Sequence, residues 1–269
     1  MCGIVGIVSK QGSGSIRNMT DSLAHRGPDG VGHFERDGVA LGQTRLSIID
    51  IEGGAQPIAN EDETLQLVCN GEIYNSPELR RDLVARGHRF RTKTDVEVIL
   101  HLYEEYGDSC VNHLRGMFAF AIWDAPAKKL FLGRDHLGQK PLFYFRNDDA
   151  FVFSSEVKGL FASGLVKPEL CLEGLWHYMS LRFMPDQYSL FKGVNKLPAA
   201  STLSYQGGRV DVGKYWSISF DNKFGGSEAE LIERLDHVLA DTVEAHLLSD
   251  VRVGSFLSGG IDSTTIASM

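Results

Sequence analysis

The chain of 269 residues has few of the features that identify membrane, secreted or nucleic-acid-binding proteins. It contains no run of about 18 apolar residues, the length that a membrane-spanning helix requires. Its apolar N-terminus lacks the basic segment of a signal peptide. Basic residues form no stripe or block, and the formal net charge is -8. We therefore expect a cytoplasmic protein that binds neither membranes nor nucleic acid.

Cysteine is also scarce, and no two of the four cysteines have Cys-x-x-Cys spacing. This argues against a structural zinc site and against a disulfide framework, so we expect free thiols and predict no metal site. Cys69, Cys110 and Cys171 are expected to be small buried apolar side chains. Cys2 differs, because a small residue after Met1 is the usual condition for removal of the initiator methionine.

Apolar, β-branched runs predict many strands and only a few inserted helices, without a regular βαβ alternation. This order of elements favours an α+β fold with antiparallel sheets, whose faces must be covered by each other or by helices. The predicted strands lie at 3–8, 38–43, 46–50, 64–69, 117–123, 129–133, 142–146 and 151–154.

Helix signals mark three segments in the first half of the chain. A short helix is predicted around residues 15–24. A second is predicted to be capped by Ser76, with Pro77 at its first position. A third is predicted from a capping box formed by Thr94 and Glu97.

The character of the chain changes near residue 213. Residues 221–226 are polar and rich in glycine, as in a linker. Ser227 and Glu230 form a further capping box before a long amphipathic helix. A strand is predicted at 251–257, followed by a glycine-rich turn. Strand, loop and helix start make half of a βαβ unit with nothing to pair with it.

An N-terminal cysteine can act as a nucleophile whose own α-amine is the base. The α-amine titrates near 7.7–8.0 in model peptides and a thiol near 8.5, so proton transfer between them is feasible at neutral pH. A strand that starts at Gly3 would hold this terminus rigid. A chance cysteine at position two is the alternative.

Three other segments allow both a structural and a functional interpretation. Asn70 and Gly71 form either a type I′ turn or an oxyanion hole. Arg45 is either a strand residue that reaches to solvent or a bidentate clamp for a carboxylate. Asp95 is either a carboxylate at a helix N-terminus or an anchor for an ammonium group.

Taken together, these segments resemble a class II, N-terminal nucleophile glutamine amidotransferase domain. The motifs are Cys-Gly-Ile-Val-Gly at 2–6, His-Arg-Gly-Pro-Asp at 25–29, Arg-Leu-Ser-Ile at 45–48, Asn-Gly-Glu-Ile-Tyr-Asn at 70–75 and Thr-Asp at 94–95. Leu-Ser-Gly-Gly-Ile-Asp-Ser at 257–263 is similar to the glutamine-hydrolysing asparagine synthetases. The resemblance implies an αββα sandwich of two antiparallel sheets covered by helices, plus an incomplete α/β C-terminal piece.

The resemblance also implies roles for the residues of the glutaminase motifs. Cys2 would attack the glutamine amide, and Asn70 and Gly71 would hold the oxyanion. Arg45 would bind the α-carboxylate of glutamine, and Asp95 its α-ammonium group. The remaining implied residues line the same pocket or order the glycine-rich loop, and they are Leu46, Ser47, Ile48, Ile49, Glu72 and Arg26.

The second motif implies a pyrophosphate-binding loop, which is not a Walker A loop because it lacks the Gly-Lys-Ser/Thr ending. Leu257 would lie beside the nucleotide. The pyrophosphate would be held by Ser258, Gly259, Gly260, Asp262 and Ser263. A full-length synthetase would use ATP, Mg²⁺ and aspartate, whereas the glutaminase needs no cofactor.

The implied domains are a glutaminase at 2–213, a linker at 214–226 and the start of an ATP-pyrophosphatase domain at 227–269. We therefore expect no synthetase activity from this chain itself. A homodimer is possible. Two alternatives stay open: the same glutaminase serving another acceptor in sugar or secondary-metabolite amidation, and a catalytically inactive scaffolding module.

Overall fold

The computed structural model describes residues 1–10, 15–185 and 188–269, which form twelve strands and seven α-helices. The strands are β1 (Gly3–Ser9), β2 (Gly30–Arg36), β3 (Val39–Arg45), β4 (Ile58–Ala59), β5 (Leu65–Ile73), β6 (Gly116–Asp124), β7 (Lys129–Arg134), β8 (Phe143–Arg146), β9 (Ala150–Ser154), β10 (Val194–Lys196), β11 (Ser201–Gln206) and β12 (Arg209–Lys214). The helices are α1 (Ile16–Ser22), α2 (Ser76–Ala85), α3 (Glu97–Tyr106), α4 (Val157–Ala162), α5 (Leu172–Leu181), α6 (Glu228–Ala245) and α7 (Ile261–Ser268).

The strands form two six-stranded antiparallel sheets. The first has the order β10-β8-β9-β1-β3-β2, and the second has the order β12-β11-β7-β6-β5-β4. In the first sheet, β1 lies between β3 and β9, with Gly3 opposite Thr44. The N-terminal strand is therefore an interior strand, held by backbone hydrogen bonds on both sides.

Three apolar clusters show how the layers pack. One lies between the sheets and joins Ile4 and Leu41 of the first sheet to Val68 and Ala119 of the second. A second packs α1 and α4 on the outer face of the first sheet. A third packs α2 and α3 on the outer face of the second sheet. The expected sandwich of two antiparallel sheets covered by helices is confirmed.

Two local predictions near the pocket described below are wrong. Residues 46–50 form no strand but a loop after β3. Arg45 donates hydrogen bonds to carbonyls within the loop, so these apolar residues do not join the sheet ladder. Asn70 and Gly71 form no turn, because both lie inside β5 opposite Ala119 and Phe118 of β6.

Two predicted helix caps also differ from the structure. Asn75, rather than Ser76, occupies the N-cap of α2. The capping box of Thr94 and Glu97 is wrong, since α3 begins at Glu97 itself. The Glu97 carboxylate instead accepts the backbone N–H groups of Arg91 and Thr92, at 2.7 and 2.8 Å. A carboxylate used in this way is not available to cap its own helix.

The C-terminal region contains α6, whose capping box of Ser227 and Glu230 is confirmed. The strand predicted at 251–257 is wrong, because a strand needs a ladder partner and none of the described residues pairs with this segment. The apolar face of α6 is open to solvent, with Leu235 58% and Val238 52% exposed. Within the described residues, no helix is long and apolar enough to cross a membrane.

The remaining cysteines largely follow prediction. Cys69 and Cys110 are buried free thiols. Cys171 is the exception, because it is only partly buried at the N-cap of α5, where its sulfur accepts the Gly174 N–H at 3.5 Å.

We predict that limited proteolysis with chymotrypsin cleaves the chain between β12 and α6. Residues 215–227 form no regular structure, and Phe220 and Phe224 are 73% and 65% exposed. An exposed, irregular backbone is the preferred substrate of a protease. Mass spectrometry should detect a product that ends within this segment before any cut at the buried Phe151 or Phe153. Equal survival of all these sites would contradict the prediction.

Candidate active site

Cys2 directly precedes β1 and is partly buried against the loop that follows β3. Its Sγ accepts the Leu46 N–H at 3.4 Å and lies 3.6 Å from the Leu46 carbonyl oxygen. Burial raises the pKa of the Cys2 thiol, and the hydrogen bond from Leu46 opposes that rise. The thiol is therefore protonated at neutral pH and needs a base before it can act as a nucleophile.

Arg26 holds the backbone of Cys2 in place. Its Nε donates to the Cys2 carbonyl oxygen at 2.9 Å, and its Nη1 pairs with Glu156 at 2.8 Å. Next to Arg26, the backbone of Gly27 lies directly against β3, where a Cβ would be 2.3 Å from the Thr44 carbonyl carbon. The structure thus places Arg26 beside the terminus, as the sequence predicts, but outside the pocket lining.

Arg45 shapes the loop at residues 46–51. Its Nη2 donates to the carbonyls of Ile49 and Asp50 at 3.0 and 2.6 Å, and its Nη1 donates to the Ile51 carbonyl at 2.9 Å. From the other side, the Asp29 carboxylate accepts the Ser47 N–H at 2.8 Å. Side chains outside the loop therefore fix its conformation.

One pocket gathers most of the predicted glutaminase residues. All of them except Ser47 and Arg26 line it. The full lining is Met1, Cys2, Arg45, Leu46, Ile48, Ile49, Gly54, Gln56, Cys69, Asn70, Gly71, Glu72, Thr94, Asp95, Val96 and Lys140.

Asn70 and Gly71 reach this pocket from β5. Asn70 is 2% exposed, and its Nδ2 has no hydrogen-bond partner among the described residues. A buried amide donor without a partner costs about 1–3 kcal/mol, so a ligand oxygen that accepts from it would be stabilised. Gly71 lies so close to β6 that a Cβ would be 2.4 Å from the Met117 carbonyl oxygen.

Two carboxylates line the same pocket, and of these Asp95 is buried and Glu72 is half-buried. Asp95 accepts the Ile73 N–H at 2.7 Å and the Thr94 hydroxyl at 3.2 Å. Burial nevertheless raises the pKa of Asp95 to about 6. Burial also raises the pKa of Glu72, although nearby Lys140 opposes that rise. Both carboxylates would be stabilised by a positively charged ligand group.

Lys140 is a charged pocket residue that sequence reasoning missed. It is 7% exposed, and burial lowers the pKa of its ammonium group, while Glu72 raises it. Its backbone N–H donates to the buried Asp135 carboxylate at 3.0 Å, and its carbonyl accepts from Arg134 Nε at 2.7 Å. The signal lay in Gly-Arg-Asp-His-Leu-Gly-Gln-Lys at 133–140, a charged segment directly after a buried strand.

The segment after α6 contacts the pocket loop. Asp250 Oδ2 accepts the Asp50 N–H at 2.7 Å, and the Asp250 N–H donates to the Ile48 carbonyl at 3.0 Å. Nearby, the rings of Tyr74 and His246 lie 4.2 Å apart. The C-terminal region is thus in direct contact with the residues that bound the pocket.

The glycine-rich turn at 258–260 lies apart from this pocket, at the start of α7. Gly259 has φ +80°, and the hydroxyl oxygens of Ser258 and Ser263 are 2.9 Å apart. The backbone N–H groups at the first turn of a helix favour anions. The predicted residues are exposed, with Leu257 at 64%, except for Ser263, which is partly buried.

We predict that Asp95→Asn changes how stability depends on pH. Because the folded-state pKa of about 6 exceeds the reference value of 3.8, the native chain binds more protons than the unfolded chain between these values. The contribution of Asp95 to wild-type stability therefore falls as pH rises through this window, by at most about 3 kcal/mol, and the variant lacks this contribution. Urea unfolding between about pH 4 and 7 measures the difference. The exposed Asp82→Asn is the control, and parallel profiles for Asp95→Asn and wild type would contradict the prediction.

Comparison with known proteins agrees with this arrangement. The sequence profile described as "Glutamine amidotransferase domain" matches residues 1–216, and that described as "Asparagine synthase" matches residues 234–269. "Asparagine synthetase [glutamine-hydrolyzing] 1" of Bacillus subtilis (strain 168) is 40% identical over an alignment 277 positions long, which covers 100% of this chain and 44% of that protein. "Asparagine synthetase [glutamine-hydrolyzing] 3" of the same organism is 37% identical over an alignment 279 positions long, which covers 100% of this chain and 45% of that protein.

The chain therefore spans less than half the length of these curated relatives. A solved structure of the glutamine phosphoribosylpyrophosphate amidotransferase of B. subtilis has a TM-score of 0.61 at 19% identity. The structural match covers 80% of this chain and 49% of the amidotransferase chain, and it shows that the two proteins share a fold. By the match over residues 1–216, the chain belongs to the glutamine amidotransferase domain family.

Proposed function

We propose that the chain hydrolyses glutamine to glutamate and ammonia through a thioester at Cys2. The observation that carries this proposal is the unpartnered, buried Asn70 amide in the same pocket as the Cys2 thiol. An acyl-transfer site needs a nucleophile and a donor for the oxyanion that forms after attack. The thiol of Cys2 and the amide of Asn70 in the described pocket support the assignment of these two roles.

Catalysis requires prior removal of Met1 from the chain. Met1 lies at the pocket wall, with its Sδ 3.6 Å from the Lys140 ammonium group. The α-amine of Cys2 is then free to accept the proton of its own thiol. The thiolate attacks the side-chain amide carbon of glutamine, and Asn70 Nδ2 and the Gly71 N–H hold the oxyanion. Collapse of the tetrahedral intermediate breaks the C–N bond, and the protonated α-amine of Cys2 protonates the leaving nitrogen, which departs as ammonia. Water then hydrolyses the thioester to glutamate and restores the thiol.

The α-carbon end of glutamine requires one anionic and one cationic partner. Asp95 is the proposed partner of the α-ammonium group, which would bring the pKa of Asp95 back down. Arg45 is the proposed partner of the α-carboxylate. The two Nη atoms of Arg45 already donate hydrogen bonds to loop carbonyls. We therefore propose that the glutamine carboxylate binds the guanidinium group beside these hydrogen bonds. The proposed lining of the glutamine side chain is Leu46, Ile48, Ile49 and Glu72, whereas Ser47 lies outside the pocket lining.

We further propose that the ammonia serves ATP-dependent conversion of aspartate to asparagine in the cytoplasm. The asparagine synthase profile and the turn at the start of α7 support this. In this proposal residues 2–213 are the glutaminase, 214–226 a linker and 227–269 the first part of the ATP domain. The residues that would hold the pyrophosphate of ATP, with Mg²⁺, are Ser258, Gly259, Gly260, Asp262 and Ser263, with Leu257 beside the nucleotide.

Asn70→Ala should lower glutaminase turnover roughly 100- to 1000-fold, because one oxyanion donor is lost. The KM for glutamine should change little, since the ground-state carbonyl needs this donor less than the oxyanion does. A steady-state glutamate-release assay measures both parameters. Asn195→Ala, at the exposed position of β10, is the matched control. Unchanged turnover in Asn70→Ala would remove the oxyanion role.

Cys2→Ala should abolish glutamate release, whereas Cys171→Ala, at the second partly buried thiol, should leave it intact. Intact-mass measurement of the active protein should show that Met1 is absent, because the peptide bond to Met1 would block the α-amine. Full activity from protein that retains Met1 would exclude the α-amine as the base.

A further inference from the structure

A cluster of two histidines and two glutamates lies at one end of α3, outside the glutamine pocket. It consists of Glu61 from the loop between β4 and β5, His88 after α2, and His101 and Glu104 on α3. His101 and Glu104 share one helix face, because residues three apart are neighbours there. Each residue contributes one donor atom, and these four atoms lie within 4.8 Å of one another.

The spacing of these atoms suits a small tetrahedral cation. Glu104 Oε2 lies 2.7 Å from His101 Nδ1 and 3.2 Å from His88 Nδ1. Glu61 Oε2 lies 3.8 Å from His101 Nδ1. Four ligands at zinc's bond lengths of about 2.0–2.2 Å are separated by about 3.4 Å in a tetrahedron. The Glu104–His88 and Glu61–His101 distances are within a few tenths of an ångström of this value, and the Glu104–His101 distance is shorter.

The second oxygen of each carboxylate is held by a group outside the cluster. Glu61 Oε1 accepts the Arg89 N–H at 2.8 Å. Glu104 Oε1 accepts from the Asn60 amide at 2.8 Å. These hydrogen bonds orient the other oxygen of each carboxylate toward the histidines.

The far nitrogen of each histidine faces a further carboxylate. His88 Nε2 lies 3.1 Å from Glu105, and His101 Nε2 lies 3.7 Å from Glu97. His101 is fully buried, and its Nε2 has no hydrogen bond among the described residues. A carboxylate behind the imidazole is the usual arrangement around metal-bound histidine. Glu105 is within hydrogen-bond distance of His88 Nε2 and so favours the tautomer that leaves Nδ1 free, whereas Glu97 is too far from His101 Nε2 for a hydrogen bond.

We propose that Glu61, His88, His101 and Glu104 form a structural zinc site. Imidazole ligands favour zinc over calcium and magnesium, which prefer oxygen ligands. Four protein ligands close the tetrahedron and leave no position for substrate, as in structural zinc sites. The ion would tie the β4–β5 loop and the end of α2 to α3. Cysteine spacing gave no indication of this site, because its ligands are histidine and glutamate.

Calorimetric titration of chelator-treated full-length chain with zinc tests the proposal. The titration is repeated in Cys2→Ala, so that the active-site thiol contributes nothing. One zinc per chain should bind in both proteins, and zinc should raise Tm. Glu61→Gln, at a partly exposed side chain, and His88→Gln should each weaken binding at least tenfold. His177→Gln, a histidine that faces Glu173 outside the cluster, should bind zinc as wild type does.

Cobalt(II) provides a readout that does not depend on folding stability. In place of zinc it should give the intense visible spectrum of tetrahedral coordination, and Glu61→Gln should weaken that spectrum. Zinc affinity in wild type within tenfold of that in Glu61→Gln and His88→Gln would overturn the proposal. So would an octahedral cobalt spectrum. In either case the cluster is an ion-pair network around a protonated His101 only.

Discussion

The position of β1 inside its sheet fixes where Cys2, the proposed nucleophile, lies. Hydrogen bonds to β3 and β9 on both sides immobilise the strand, and the register sets Gly3 opposite Thr44. Cys2 therefore meets the chain where β3 ends and the pocket loop begins, and its thiol contacts Leu46. A terminus is normally the most mobile part of a chain. Here the sheet removes that freedom, as acyl transfer from a terminal residue requires.

The charged groups of the pocket have lost solvent without gaining full compensation. Burial raises the pKa of Asp95 and Glu72 and lowers that of Lys140, so the charged form of each group is disfavoured. A ligand that brings an ammonium and a carboxylate group supplies opposite charges to such a site. A neutral amide supplies none, but its carbonyl oxygen can accept from the unpartnered Asn70 donor. The pocket is thus better suited to an amino acid with an amide side chain than to an apolar ligand.

Local signals predicted well only where no other segment competed for the same groups, since the Glu97 carboxylate binds backbone N–H groups outside its helix instead of forming a capping box. The capping box of Ser227 and Glu230 is contained in four residues, and it formed as predicted. The apolar residues at 46–50 satisfy a strand pattern, yet Arg45 and Asp29 hold them as a loop. Lys140 resembles a solvated loop residue until the fold buries it. Most residues predicted for the glutamine site line one pocket, because their motifs include the pocket loop itself.

The contacts of Asp250 connect the two profile matches physically. Its side chain accepts the Asp50 N–H and its backbone N–H donates to Ile48, so it bridges two positions of one loop. Ile48 lines the pocket, and the glycine-rich turn at 258–260 follows Asp250 by eight residues of chain without a ladder partner among the described residues. The conformation of the loop therefore depends on where this segment lies. Energetic coupling between two sites is reciprocal, so any effect of this segment on ligand binding in the pocket would be matched by an equal effect of pocket occupancy on the segment.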